Sequence, residues 1–548
     1  MKIVTRFFLI CCVYFYSFQS AAQNDVDRII KEQKNNDDVV RHESQQTKRD
    51  VYSSIDAKEV NDILFPVEKP CFRIDRLIIN NDFLHNREIK KIKKSTVGRC
   101  LGEQGVAKLA QAIQDSIINA GYITTRVEIP DQDLSSHVLR LAILPGKIEN
   151  IVIENNDIID WTLPFGKEAV LNIRDIEQGL ENLQKIPDVD VKITLEPGSR
   201  VGYSTVMIYT SRKKNWNVRA SVSNWGDKST GKVLAGTSGY LYNLANVNDI
   251  FYLSASRSLT GKYQSISGYY SFPVGYWDYA FFYSQSVSHQ MINSDGLDLD
   301  YSGENQYFSV KSSRTLYRDR DKKVTAIIEF LKRKSDYQVD DIKLALQKRD
   351  LSNVRFGVNY KQNYPAAMLN GTLAYQRFLI WPGGRLTSDM KSGDVSSTSQ
   401  LLNLDINYIK LMQYGHFPVW YDVNLGMQYA PEPLILQDQF TLGSRWSVRG
   451  FENSPGLEGN NGFYLQNTVG FNTGVKEAEC YFGMDYGVVS TSQFSQKNQA
   501  KTLIGAITGL KGRVNALAYD ISLSAPLVYP SALTTDRLVI NVNFFYQL

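Results

Sequence analysis

Histidine and cysteine are scarce, five of each in 548 residues. The histidines (His42, His85, His137, His289 and His416) are scattered, so no metal-ligand spacing is present. No G-x-S-x-G turn presents a nucleophilic serine. The nearest approach to a phosphate loop runs from Gly226 to Val233. It ends in valine where a magnesium-binding hydroxyl is required, and no helical pattern follows it, so it reads as a hairpin turn. The net charge of +4 is too small to imply a nucleic-acid partner. Basic clusters such as Lys332-Arg333-Lys334 read as facing lumen, lipopolysaccharide or solvent. These absences leave no enzyme constellation, no cofactor site and no metal site. Beyond the N-terminus no run of about 18 apolar residues occurs, so any membrane crossing must be made by β-strands.

Aromatic residues and period-two alternation are abundant. There are 32 tyrosines, and aromatics make up 12% of the chain, which suits a β-rich protein with interfacial girdles. Over residues 213–548 strand after strand alternates. Tyr421, Val423, Leu425, Met427 and Tyr429 share one face, against Asp422, Asn424, Gly426 and Gln428. Trp216, Val218, Ala220 and Val222 oppose Asn217, Arg219, Ser221 and Ser223 in the same way. One such strand also fits a soluble sandwich. Many without intervening helices favour a transmembrane antiparallel β-barrel with a polar lumen, and roughly 20 residues per strand and connection gives about 16 strands. The last strand, residues 538–548, keeps Leu538, Ile540, Val542, Phe544, Tyr546 and Leu548 on one face.

The first 212 residues are different. Residues 1–22 read as a secretory signal, with Lys2 and Arg6 before an apolar run and Ser20-Ala21-Ala22 as the cleavage site. Residues 23–45 are polar and can form a helix without a strong apolar stripe. Residues 46–70 show no period and end in Pro66 and Pro70, as a linker does. Residues 71–145 read as a small α/β domain, with strands at 72–79, 124–129 and 138–144. A helix at 102–121 is marked by Val106, Leu109, Ala110, Ile113 and Ile117. Residues 146–212 repeat the theme, with a helical face at Ile173, Ile176, Leu180 and Leu183. Small open sheets have unpaired edges that can accept an extended peptide. Cys11 and Cys12 leave with the signal, an oxidising compartment allows Cys71 and Cys100 to pair, and Cys480 reads as a buried free thiol.

The chain is organised around residues 440–463, too long for a hairpin turn and rich in Gly, Ser and Asn. At its centre stand Val448, Arg449, Gly450 and Phe451, a planar cation between apolar neighbours with a glycine that permits a sharp turn. On the later strand 481–489, Phe482, Met484, Tyr486 and Val488 share one face, and Gly483, Asp485 and Gly487 the other. A carboxylate between two glycines leaves room for an incoming loop tip. From spacing alone, Arg449 reads equally as the partner of Asp485 or as a solvated loop residue beside an ordinary lumen acid.

The VRGF loop tip, the Asp strand and the wording GYITTRVEIPDQDL then LAILPGKIENI resemble the two-partner secretion transporters (TpsB, hemolysin-activator type). These belong to the POTRA-barrel outer-membrane-assembly superfamily. The closing GLKGRVNALAYDISLSAPLVYP, with its turn at Ala525-Pro526-Leu527, is similar too. Four positions depart from the family: His137 where Gly is usual, Gly443-Ser444 where Gly-Gly is common, Asn467 in place of an acid, and Leu548 in place of a final Phe. The resemblance implies a plug helix at 23–45, a linker, two periplasmic POTRA domains at 71–145 and 146–212, and a barrel at 213–548. It also implies a Cys71–Cys100 disulfide and a loop held by an Arg449–Asp485 pair. The expected function is an outer-membrane transporter that takes a large unfolded partner from the periplasm through its POTRA domains and secretes it without ATP. The partner class is an adhesin, hemolysin or contact-dependent toxin, and the barrel-assembly machinery is expected to insert the pore in the bacterial outer membrane. A barrel-insertion factor and a passive porin or receptor are the other readings.

Overall fold

The computed structural model describes residues 63–548 except 85–86, 155–159, 188, 295–296, 345–346, 382, 416, 455, 476 and 492–498. The expected signal at 1–22, the plug helix at 23–45 and linker residues 46–62 lie outside the described residues.

Period-two alternation produces a closed barrel of sixteen long antiparallel strands, from Trp216–Ser223 to Val539–Gln547. A short seventeenth piece, Ile342–Lys343, extends one hairpin. The last strand closes on the first from Asn543 opposite Ser223 to Gln547 opposite Arg219. Phe482, Met484 and Tyr486 are exposed on the outer face, as lipid requires, while Asp485 is wholly buried inside. Cys480 shares the outward face with Phe482 and is only half-buried, which corrects the expectation of a buried thiol.

The first α/β domain pairs Arg76–Asn80, Val138–Leu144 and Arg126–Glu128 in one sheet, with Val138–Leu144 central. Helices Arg87–Thr96 and Glu103–Asn119 cover it. Ile113, Ile117, Leu139 and Leu141 are fully buried, each worth about 1.5–3 kcal/mol. The second helix starts at Gly102, which has no side chain to cap it. Glu68 supplies the cap from the end of the expected linker, accepting from the N–H groups of Gly102, Gln104 and Gly105 at 3.0, 2.8 and 2.7 Å. Ile63 and Phe65 pack on the same core, so the linker's last residues belong to the domain. His137 takes the left-handed conformation (φ +60) that glycine adopts without strain, and its Nδ1 lies 2.9 Å from the Arg73 carbonyl.

The second domain orders Lys147–Ile153, Tyr203–Arg212 and Val189–Pro197, with helix Ile173–Leu183 packed against them. Asn172 caps that helix and also donates to the Ala120 carbonyl at 3.3 Å, tying the two domains together.

Cys71 and Cys100 are disulfide-bonded, 29 residues apart in sequence. Loop closure of this size contributes about 3.6 kcal/mol. Replacing both with serine is expected to make the first domain the initial site of tryptic cleavage, with heat-modifiable barrel migration unchanged. Equal cleavage rates with and without the disulfide would rule this out.

Candidate functional site: a loop anchored in the barrel lumen

Residues 430–460 leave the barrel at the end opposite the α/β domains and fold back inside it. Short strands Phe440–Leu442 and Leu457–Gly459 pair as the neck of this loop. At the neck, Gly443 adopts φ +95, and Ser447 Oγ accepts from the N–H groups of Gly443 and Ser444 at 3.1 Å each. The tip reaches the wall strand Ala478–Thr491.

There Arg449 meets Asp485 through both carboxylate oxygens. Nε donates to Oδ2 at 2.6 Å, Nη2 to Oδ1 at 2.6 Å, and the Arg449 backbone N–H to Oδ2 at 2.9 Å. Nη2 also donates to Thr468 Oγ1 at 2.9 Å and to the Asn467 carbonyl at 3.4 Å. The Arg449 side chain is 12% exposed and that of Asp485 0%. A planar guanidinium with fixed donors suits this fork, which a lysine could not reproduce.

Three wall glycines make room for the tip. A Cβ at Gly483 would lie 2.5 Å from Arg449 Nη2, one at Gly487 would lie 2.7 Å from Val448 Cγ2, and one at Gly505 would lie 1.8 Å from the Arg449 carbonyl. Gly450 turns the chain at φ +102, with the Ala525 carbonyl against it. Ala525-Pro526-Leu527 is therefore not the turn that the sequence suggested. It lies within strand Leu517–Val528, whose register shifts at Gly505, and the loop tip rests on that irregular stretch.

Val448 and Phe451 are completely buried, in an apolar cluster with Leu442, Leu457, Val489, Leu503 and Leu533. Glu452 accepts from the Gly450 N–H at 2.9 Å, from Ser524 Oγ at 3.1 Å and from Asn541 Nδ2 at 3.4 Å. Sequence reasoning passed over Thr468, Glu452, Ser524 and Gly505. Only Glu452, an acid beside the motif, carried a readable signal.

A second polar assembly joins the other end of the barrel to the α/β domains. The face of helix Ile173–Leu183 opposite its apolar stripe carries Glu177, Gln178, Glu181 and Asn182, all buried. Arg318 and Lys323 flank the barrel turn at 319–321. Arg318 donates to Glu181 at 2.7 Å, Gln178 at 3.1 Å and Glu177 at 3.3 Å, and Lys323 pairs with Glu181. Lys185 donates to Asp278 at 2.9 Å and Asn182 to the Gly275 carbonyl at 2.7 Å. Tyr276 donates to Asp175, whose carboxyl burial raises above the usual carboxylate range, with that hydrogen bond acting in the opposite direction.

A closed lipid-facing barrel, two POTRA domains fixed beneath it and a loop anchored in its lumen define an outer-membrane transporter of the POTRA-barrel class. Residues 202–512 match the family model of the haemolysin secretion/activation protein ShlB/FhaC/HecB, 72–146 the ShlB-type POTRA domain and 147–197 a further POTRA domain. The chain belongs to the ShlB/FhaC/HecB family, the outer-membrane transporters of two-partner secretion, and its POTRA domains lie in the periplasm. It is 29% identical to the outer membrane transporter CdiB-2 of Burkholderia pseudomallei (strain 1026b) over 525 residues, 91% of this chain and 90% of that protein. It is 26% identical to the hemolysin transporter protein ShlB of Serratia marcescens over 468 residues, 82% of this chain and 81% of that protein. The solved structure of CdiB from Escherichia coli aligns with a TM-score of 0.83 at 25% identity, covering 95% of this chain and 98% of that one.

Removing one member of a buried ion pair costs about 3–5 kcal/mol at the dry limit, and less beside a wet lumen. Arg449→Ala is therefore expected to leave a folded barrel whose loop exchanges amide hydrogens faster, and Gly505→Ala to do the same by displacing the Arg449 carbonyl. Unchanged exchange over residues 440–463 in both variants would refute the anchoring role. Arg318→Ala, which leaves Glu181 to Lys323 alone and Glu177 to Arg174 of its own helix, removes the strand cation common to both acids and is expected to broaden the distance between spin labels on the second POTRA domain and the barrel rim. A distance distribution as narrow as wild type would show that the clamp is dispensable.

Proposed function

We propose that the second-domain and first-domain sheet edges hold an extended partner chain by adding it as a strand, and that the anchored loop keeps the pore in the shape through which that chain then threads. The observation that carries this reading is the Arg449–Asp485 fork, which spends a buried acid and three glycine positions on holding one loop tip inside the lumen. Lys147–Ile153 and Val189–Pro197 are the two edges of the second POTRA sheet, and Arg76–Asn80 and Arg126–Glu128 those of the first. Val152, on one of these edges, is exposed. An edge with free backbone groups binds a strand through main-chain hydrogen bonds and alternate side-chain pockets.

The chain acts as a conduit rather than as an enzyme. Folding of the client outside the cell removes unfolded chain from the equilibrium and draws transport forward. Relatives bear the names of hemolysin transporters and of CdiB transporters, and the client of this pore belongs to the same kind of large secreted protein.

The test is secretion of the partner from cells that carry wild-type or Arg449→Ala protein at equal outer-membrane levels. Losing even 1.4 kcal/mol from the working loop position corresponds to about a tenfold fall. Secretion at the wild-type rate would refute the role given to the loop.

A further inference from the structure

The second POTRA domain does not sit only beneath the pore mouth. Asn182 and Lys185 reach Gly275 and Asp278 where the hairpin of strands Tyr263–Val274 and Trp277–Ser294 turns. Residues 160–164 cross to the other side of that hairpin, where a Cβ on Gly275 would lie 3.6 Å from Pro164 Cα. There the Trp161 ring stands 6.4 Å from Phe272, edge to face.

Phe272 lies on the lipid side of its strand. Its strand neighbours Ser271, Ser267 and Ser265 are buried on the lumen side, and Ile266, in register with Phe272, is exposed outward. Phe272 packs on Tyr279 at 5.4 Å and Tyr279 stacks on Trp277 at 6.2 Å. The Arg314 guanidinium lies 5.1 Å from the Trp277 ring. This is an aromatic girdle at the periplasmic edge of the barrel's apolar band, and Trp161 extends it outward from a different domain. Trp161 is 45% exposed, although its neighbours Leu163 and Phe165 are buried in the domain core. A ring with an apolar body and one N–H donor is the side chain best suited to the headgroup boundary.

We propose that Trp161 is a lipid contact, seating the second POTRA domain in the headgroup region of the periplasmic leaflet, on phospholipid. The domain then straddles the barrel wall, ionic on the lumen side and lipid-bound on the outer side. Continuity with the barrel's own girdle favours phospholipid over a client segment as the occupant.

The experiment uses the full-length protein in nanodiscs of phosphatidylethanolamine and phosphatidylglycerol, with acyl chains brominated near the ester. The emission lost on Trp161→Phe is expected to be blue-shifted, quenched by brominated lipid and insensitive to acrylamide in the buffer. If acrylamide quenches that component and brominated lipid does not, the indole faces the periplasm and the proposal falls. A response only on addition of partner protein would assign the ring to the client and overturn the lipid assignment equally. A nitroxide on Trp161→Cys, in a Cys480→Ser background, gives an independent reading. Collision with oxygen in excess of a water-soluble nickel chelate is expected, and the reverse ratio refutes lipid contact.

Discussion

Asp485 has no exposed surface, and a carboxylate taken out of water is tolerable only when its lone pairs are filled. Arg449 fills them with three donors, two from the guanidinium and one from its own backbone. The backbone donor matters because it fixes the main chain of the loop as well as the tip of one side chain. Once that main chain is placed, Val448 and Phe451 fall on either side of it into the apolar cluster, and Gly450 must turn against the Ala525 carbonyl. The glycines at 483, 487 and 505 follow from the same demand, since each occupies a place where any larger residue would push the tip back toward solvent.

The α/β domains are held by a different balance. Helix Ile173–Leu183 has an apolar stripe for its own sheet and an acidic face that the sheet cannot use. The barrel supplies the cations for that face from two strands joined by one turn, so Arg318 and Lys323 approach the same Glu181 from neighbouring positions. Buried pairs of this kind add little net stability but penalise every arrangement that separates them. The clamp thus fixes orientation, holding the edges of the second POTRA sheet at a set place below the pore.

How much of this was legible depends on the range of the interaction. Alternation with period two is a local signal, and it makes the barrel, the lumen side of Asp485 and the outward set Phe482, Met484 and Tyr486 legible in the sequence. The helix at Glu103–Asn119 was readable from its apolar spacing, yet its cap was not, because Glu68 comes from 34 residues away and Gly102 gives no sign of needing it. Glu177, Gln178 and Glu181 carried no readable signal, since nothing near them in sequence announces Arg318. Ala525-Pro526-Leu527 looked like a turn because proline usually marks one. In a bulged strand, Pro526 instead gives up a ladder hydrogen bond where the register already breaks.

The loop is fastened to more of the wall than its ion pair alone implies. Arg449 holds strands Asn461–Asn472 and Ala478–Thr491 through Thr468 and Asp485, while Gly505 receives its carbonyl on the next strand. Glu452, three residues on, reaches Ser524 and Asn541, which belong to the last two strands of the barrel. Asn453 adds Asp536, and Asp536 also takes Lys228 from the loop after the first strand, across the line where the barrel closes. One short peptide therefore touches five consecutive strands and, through one further acid, the closing junction. A wall section tied together at its centre by one loop resists shear between strands better than its ladder bonds alone, because sliding any of the four strands bonded to it must also break a side-chain bond to a shared point. The lumen loop is thus a cross-brace for the five strands that end the chain, and Arg449 is the place where that brace meets the wall.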